Sequence, residues 1–349
     1  MLNNFNSFVF FIVGLITFFA STVLVRLFSI YAKKAQLLAI PNDRSSHQDL
    51  VPLGAGVIFV LLWIVIWIVG FLLNWCSLKE LLIFLPATCM VSVVGYWDDH
   101  EHLTAKKRLI AQLMASIFVV TMVGKVEVLH LFGISTAYLG YYGTPLTLVG
   151  LIWSTNLYNF MDGLDGVAGV EAVFVFGMGG LLFWHAKAFH FALLSWMLVF
   201  VVAGFLIWNW PKAKVFMGDV GSYFLGFLVG LFSLIGDLWY NIPVAVWFIL
   251  YGIFWFDTTV TVIRRFFRGE NLAIAHREHA FHRLQRLGFS HNQVLYGIIV
   301  LNIVLSVIVI YTLFINPYHL KWGLLLTLII LTSVYCFIEK LKPMARIDS

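Results

Sequence analysis

The sequence predicts an all-α polytopic membrane protein with about eleven transmembrane helices (ten if one run falls short), a periplasmic N-terminus and a cytoplasmic C-terminus. Three observations predict it. Of 349 residues, 61% are hydrophobic and 11% charged, whereas a soluble domain carries roughly 25% charged residues. Mean hydropathy is +0.94, and apolar runs recur at about 20 residues, enough to cross a hydrocarbon core about 30 Å thick. The basic residues, finally, alternate between the two sides of those runs.

The spans fall near 7–31, 52–73, 81–97, 109–124, 144–160, 164–184, 189–208, 222–240, 243–263, 294–315 and 321–338. The first is too long for a signal-peptide core and reads as a retained span. The connections at 32–51, 98–108, 209–221 and 264–293, with the tail, hold 17 of the 22 Lys and Arg residues. The opposite side holds only Lys79, Lys125, Lys187 and Lys321, so the positive-inside rule places the richer side in the cytoplasm. Residues 126–143 mix β-branched and aromatic residues with Gly, and read either as a small periplasmic hairpin or as an interfacial loop. No repeat or linker divides the chain, which reads as one integral membrane domain over 1–349.

Net charge is +5, yet it sits in short clusters between spans, which is topology and no sign of a nucleic-acid partner. Cys76, Cys89 and Cys336 are scattered and form neither a disulfide framework nor a metal spacing.

With topology fixed by Lys and Arg alone, five polar clusters all fall at cytoplasmic span ends. They are Pro41–His47 with Arg44 and His47, Trp97–Glu101, Asn156–Gly166, Lys214–Ser222 and Arg264–Arg286. Their one-sidedness predicts a single site facing the cytoplasm. Asp98 and Asp99 are costly at a span end unless they meet a cation or water, and the basic run Lys106, Lys107, Arg108 beside them suits either phosphate or a membrane anchor. Asn156, Asn159, Asp162 and Asp165 recur every three residues with no basic residue among them. Gly163 and Gly166 let the backbone unwind so these oxygens converge on a hard cation such as Mg²⁺, although an Asn/Asp capping turn would look alike.

Asp219 lies between Gly218 and Gly221, which permit close approach of a ligand; Asn209 and Phe216 precede it as an amide and an aromatic face. The 264–291 connection carries Arg264, Arg265, Arg268, Arg277, Arg283 and Arg286 with His276, His279, His282 and His291, and arginine forks match diphosphate oxygens. The histidines lack a neighbouring Cys and sit among cations, which argues against zinc. Glu171 reads as a paired structural acid, and Asp257 reads as the partner of Arg264, seven residues on along the same helix face. Acids suited to Mg²⁺ beside guanidinium groups suit phosphoryl transfer.

In this order the motifs resemble the polyprenyl-phosphate N-acetylhexosamine-1-phosphate transferases of glycosyltransferase family 4, over about 41–288. The family includes the enzymes that start O-antigen, enterobacterial common antigen and teichoic acid linkage synthesis. The resemblance rests on the Asp-Asp pair, the NxxNxxDGxDG stretch, the FMGDxGS stretch and a late Arg/His loop.

It implies transfer of a sugar 1-phosphate from a UDP-sugar to undecaprenyl phosphate at the bacterial inner membrane. Asp98, Asp99 and Asp162 are then catalytic, and Asn159 and Asp219 hold Mg²⁺, with Mn²⁺ the alternative. Arg44, His47, Lys106, Arg108, Asn156, Asp165, Asn209, Phe216, Arg277, His279 and His282 bind substrate, and a homodimer stays open. Phe281 stands where many members have histidine; this looks like the branch that uses deoxy amino sugars such as N-acetylfucosamine or N-acetylquinovosamine, and leaves them open beside the usual N-acetylglucosamine. The rival reading is an ion-coupled transporter or flippase, which expects its acids on unwound helices near the bilayer midplane.

Overall fold

The computed structural model describes residues 7–39, 49–131, 135–272, 276–315 and 319–345. Arg44 and His47 lie outside the described residues.

Each of the eleven expected spans coincides with helix. They are α1 (Ser7–Lys34), α2 (Gly56–Leu72), α3 (Leu78–Glu101), α4 (Ala105–Val123), α5 (Gly143–Met161), α6 (Val167–His185), α7 (Phe189–Asn209), α8 (Gly218–Tyr240), the pair α9 (Val244–Leu250) and α10 (Gly252–Phe267), then α12 (His291–Ile310) and α13 (Leu320–Leu341). A further short helix, α11 (Ala280–Arg286), lies in the late connection. Among the described residues, seven helices are long and apolar enough to cross a membrane, eight if the bent pair counts as one span. The protein is a multi-pass, all-α membrane protein.

Local sequence explains where several helices start. Ser77 with Glu80, and Ser290 with Gln293, form reciprocal capping boxes at α3 and α12, each satisfying backbone N–H groups that would otherwise be orphaned. Burial then sorts the bundle. α8 is 83% buried over its apolar window and α1 only 22%, so α8 forms the axis and α1 presents Phe8, Phe11, Ile16 and Phe19 outward. Membrane helices approach closely where residues are small. A Cβ at Gly95 of α3 would lie 2.5 Å from the Asp219 carbonyl oxygen, so the glycine lets α3 press against the start of α8.

Two expectations are refined. The span at 243–263 is not one rod: α9 and α10 meet at an 86° bend. The break falls at Tyr251-Gly252, and Trp255 Nε1 donates to the Phe248 carbonyl at 2.6 Å, satisfying a group that the interruption frees. The region near 126–143 is a hairpin, β3 (Val128–Leu131) antiparallel to β4 (Ser135–Tyr138). An unexpected two-residue pair joins β1 (Leu38–Ala39) to β2 (Val51–Pro52), and Phe216 N–H donates to the Pro52 carbonyl at 2.8 Å beside it.

Candidate functional site

A cavity of about 390 Å³ opens where α3, α5 and α7 end and α8 begins. Asp98, Asp99, Asn159, Asp162, Asp165, Asn209, Phe216, Asp219 and His282 all line it. Four of the five polar clusters read from sequence therefore meet, although up to 184 residues separate their members.

α3 delivers the acidic pair, and its two members are held differently. Asp98 is buried. Its Oδ2 accepts from Arg108 Nη1 at 3.0 Å and from the Tyr223 hydroxyl at 2.7 Å, and its Oδ1 accepts from Leu103 N–H at 2.8 Å. Asp99 accepts the backbone N–H groups of Asp219 at 2.8 Å and Val220 at 3.2 Å. It thus caps α8 from a neighbouring helix, where the N-terminal N–H groups and the helix dipole favour an anion. Gly218, at φ +74°, makes this possible, since a Cβ there would lie 2.5 Å from Asp99 Oδ2.

α5 stops at Met161 and the chain runs non-helically to Gly166, at φ +78°, as the glycines predict. Asn159 Nδ2 donates to Asp219 Oδ1 at 2.6 Å and to Ser222 Oγ at 3.0 Å, so the two expected metal ligands touch directly. Burial pushes the Asp162 carboxyl well above the usual range, with the nearby charges of Asp99 and Asp165 adding to it. Asp165 accepts from Ala213 N–H at 3.1 Å and faces His291 Nδ1 at 3.1 Å.

Several expected substrate contacts are spent within the protein. Asn209 accepts from Gly166 N–H at 3.0 Å and donates to the Val215 carbonyl at 2.9 Å; both ends of its amide shape the cavity wall. Asn156 does not line the cavity, but donates to Gln112 Oε1 at 2.6 Å, clasping α5 to α4. Lys106 is exposed on the first turn of α4. Glu171 accepts from Asn302 at 2.8 Å, the structural role expected.

The late connection corrects one pairing. Asp257 is not the partner of Arg264: it accepts Ala280 N–H at 3.0 and 2.9 Å and so caps α11, while Arg264 pairs with Glu339 at 2.7 Å. A common helix face brings residues near each other, but both groups found stronger partners on other elements. His282 of α11 lines the cavity, and a Cβ at Gly163 would sit 2.7 Å from its Nε2. His279 is buried beside Asp257, 3.8 Å away, and its ring stacks parallel to Phe281 at 5.7 Å. Burial holds His276 down to about 3, helped by the charges of His279 and Arg265. Burial also holds His282 far below the ordinary histidine value, with His279, Arg277, His276 and Arg286 adding to it. Arg277 is not among the lining residues; it precedes α11 and reaches Gln285 Oε1 at 3.4 Å.

Sequence reasoning missed Tyr223, Gln112, Glu339 and His102. Tyr223 was within reach, since it lies four residues after Asp219 on the same helix face. Gln112 is a lone amide in an apolar span, and its burial required a partner. His102, which lines the cavity at φ +50°, carries no such signal.

Among the described residues, no group of three or more His, Cys, Asp or Glu is arranged to enclose a metal. Mg²⁺ does not need such a cage. It keeps waters and takes one or two carboxylates together with substrate phosphates; Asp219 offers such a carboxylate, while Asn159 turns its Nδ2 to it and would have to rotate its amide to add an oxygen.

The chain is similar to known proteins over much of its length. The model of glycosyl transferase family 4 matches residues 81–237. The chain is 28% identical over 305 residues to a probable undecaprenyl-phosphate N-acetylglucosaminyl 1-phosphate transferase of Bacillus subtilis (strain 168), covering 85% of this chain and 82% of the relative. It is 28% identical over 293 residues to the undecaprenyl-phosphate alpha-N-acetylglucosaminyl 1-phosphate transferase of Escherichia coli (strain K12), covering 80% and 77%. A phospho-N-acetylmuramoyl-pentapeptide-transferase of Geobacillus sp. (strain WCH70) is 30% identical over 222 residues, covering 60% and 67%.

Proposed function

Because the chain belongs to glycosyl transferase family 4, we propose that it transfers a sugar 1-phosphate from a UDP-sugar to undecaprenyl phosphate. The sugar is an N-acetylhexosamine or its deoxy form. UMP leaves, and undecaprenyl diphosphate-sugar is the product, the first membrane step of O-antigen, lipopolysaccharide or related envelope glycan synthesis. The observation that carries this reading is the cavity itself, where Asp98, Asp99, Asn159, Asp162 and Asp219 face His282 of the late connection. The enzyme resides in the inner membrane with its N-terminus periplasmic and this cavity on the cytoplasmic side, a reading that the asymmetry of basic residues supports.

A second cavity of about 390 Å³ has an almost wholly apolar wall, formed by α5, α8, α9 and α10. Leu146, Leu151 and Leu157 of α5 line it, and the same helix carries Asn159 to the polar cavity. This groove takes the polyprenyl chain and delivers its phosphate to the acidic centre. A lipid phosphate oxygen then bonds to the β-phosphorus of the donor, the bridging P–O bond breaks, and the bridging oxygen departs with UMP.

Asp219 and Asn159 would hold the Mg²⁺, which when bound would supply charge neutralisation on the diphosphate. Asp99 fixes Asp219 in place through the start of α8. Arg108 and Tyr223 hold Asp98 in place through their hydrogen bonds, and Arg277 meets donor oxygens. Most of the acceleration comes from positioning and preorganised charge.

The test is a radiolabelled transfer assay on purified enzyme, with and without EDTA, with mass spectrometry of the lipid product across a panel of UDP-N-acetylhexosamines. Metal-dependent release of UMP with a lipid diphosphate-sugar is expected. Movement of a lipid-linked sugar across the bilayer without bond cleavage would establish the transporter instead.

A further inference from the structure

The late connection carries six arginines, and the destination of their charge decides what the segment can bind. Arg265 pairs with Glu270 at 2.9 Å, Arg286 with Glu278 at 2.8 Å, and Arg268 stands 3.9 Å from Glu270. Arg264 at the end of α10 and Arg283 within α11 both converge on Glu339 near the end of α13. Arg264 reaches its two oxygens at 2.7 Å each, and Arg283 donates to Oε2. Arg283 is wholly buried. Arg277 is the one arginine of the segment without a carboxylate partner among the described residues.

The chain beyond α13 closes the same clasp. Ala345 N–H donates to Glu278 at 2.8 Å, Arg268 donates to the Ala345 carbonyl at 2.9 Å, and Arg283 donates to the Lys342 carbonyl at 3.1 Å. α11 is thus bolted at its start by Asp257 and along its length by Glu339. His282, next to Arg283, is the residue it presents to the polar cavity.

We propose that Glu339 is a positioning residue for donor binding: it clamps α11 between α10 and α13 and neutralises two arginines, leaving Arg277 free for phosphate oxygens. The proposal rests on the transferase reading. Without the carboxylate, a buried guanidinium loses its counter-charge, and α11 must shift to let it reach water or an anion. His282 and Arg277 move with it, while the acidic centre on α3, α5 and α8 does not.

Glu339→Gln in the full chain, in lipid nanodiscs, preserves volume and removes the charge. The KM for the UDP-sugar should rise about tenfold while the KM for undecaprenyl phosphate stays within about twofold, the pattern of lost donor binding. Hydrogen exchange over 276–286 should accelerate relative to α8. Glu339→Asp should restore part of the donor affinity. Ala345→Pro, which removes the N–H given to Glu278 and restricts Met344, whose N–H donates to Glu339 at 3.3 Å, should shift the same two readouts in the same direction.

Equal loss of affinity for both substrates, or unchanged exchange over 276–286 in both Glu339→Gln and Ala345→Pro, would overturn the clamp. If the wild-type protein transfers nothing from any UDP-sugar, the transferase reading fails by itself. The exchange measurement still decides whether the clamp exists.

Discussion

Asp99 caps the helix that carries Asp219, accepting its backbone N–H at 2.8 Å while Val220 N–H reaches the second oxygen at 3.2 Å. One acid of the pair therefore sets where another acid of the cavity stands. Asp99→Ala should lower stability by about 0.5–2 kcal/mol, the usual cost of a lost N-cap, and should reduce kcat as well. Gly218→Ala should do the same, because its φ of +74° and the 2.5 Å approach to Asp99 leave no room for a Cβ. Thermal unfolding in detergent beside turnover checks both.

Asp219→Asn should lower kcat by at least about 100-fold, the scale of losing one preorganised electrostatic contact, with little change in melting temperature. The substituted amide can still accept from Asn159, so the fold survives. Retained, EDTA-sensitive turnover would remove the metal role from Asp219.

Tyr223→Phe takes one donor from Asp98 and leaves Arg108 in place. A hydrogen bond to a charged group contributes about 1.5–3 kcal/mol, so kcat/KM should fall by at least about tenfold. Steady-state kinetics with both substrates varied would show it.

Phe281 is buried, stacked on His279 and 4.1 Å from the His282 ring. Phe281→His should change the ranking of UDP-sugars more than the Mg²⁺ requirement. An unchanged ranking across the donor panel would count against a role in sugar choice.

His276 titrates at about 3 and His282 well below its ordinary value, both from burial first. A histidine whose folded pKa is depressed binds protons more readily when unfolded, near 6.5. These two therefore contribute full stability above about pH 6.5, and that stability is lost as pH falls below it, for His276 down to about 3. The melting temperature should drop between pH 7.5 and 5, and His276→Gln should flatten the slope.

Much of this was legible in the chain. Apolar run length placed helix at each expected span, and the Asp98–Asp99, Asn159–Asp165 and Gly218–Asp219 groups were recognised by residue type and side of the membrane. Partner choice was not legible. Periodicity put Asp257 and Arg264 on one face, yet Glu339, 75 residues beyond Arg264, took the arginine and Ala280 N–H took the acid. The bend at Tyr251-Gly252 was hidden too, because a broken span and a straight one share one hydropathy profile, and the Trp255–Phe248 bond that makes the break tolerable exists only after folding.

The apolar groove and the polar cavity both use α5, whose share of the groove lining runs from Leu146 to Leu157, a rise of about 17 Å at 1.5 Å per residue. That is little more than half of a hydrocarbon core about 30 Å thick. On the proposed transferase reading, α5 would cover only the isoprene units nearest the phosphate, and the remainder of a long carrier would lie among acyl chains. Carriers truncated below that reach should lose affinity with each unit removed, whereas those extended beyond it should be handled alike.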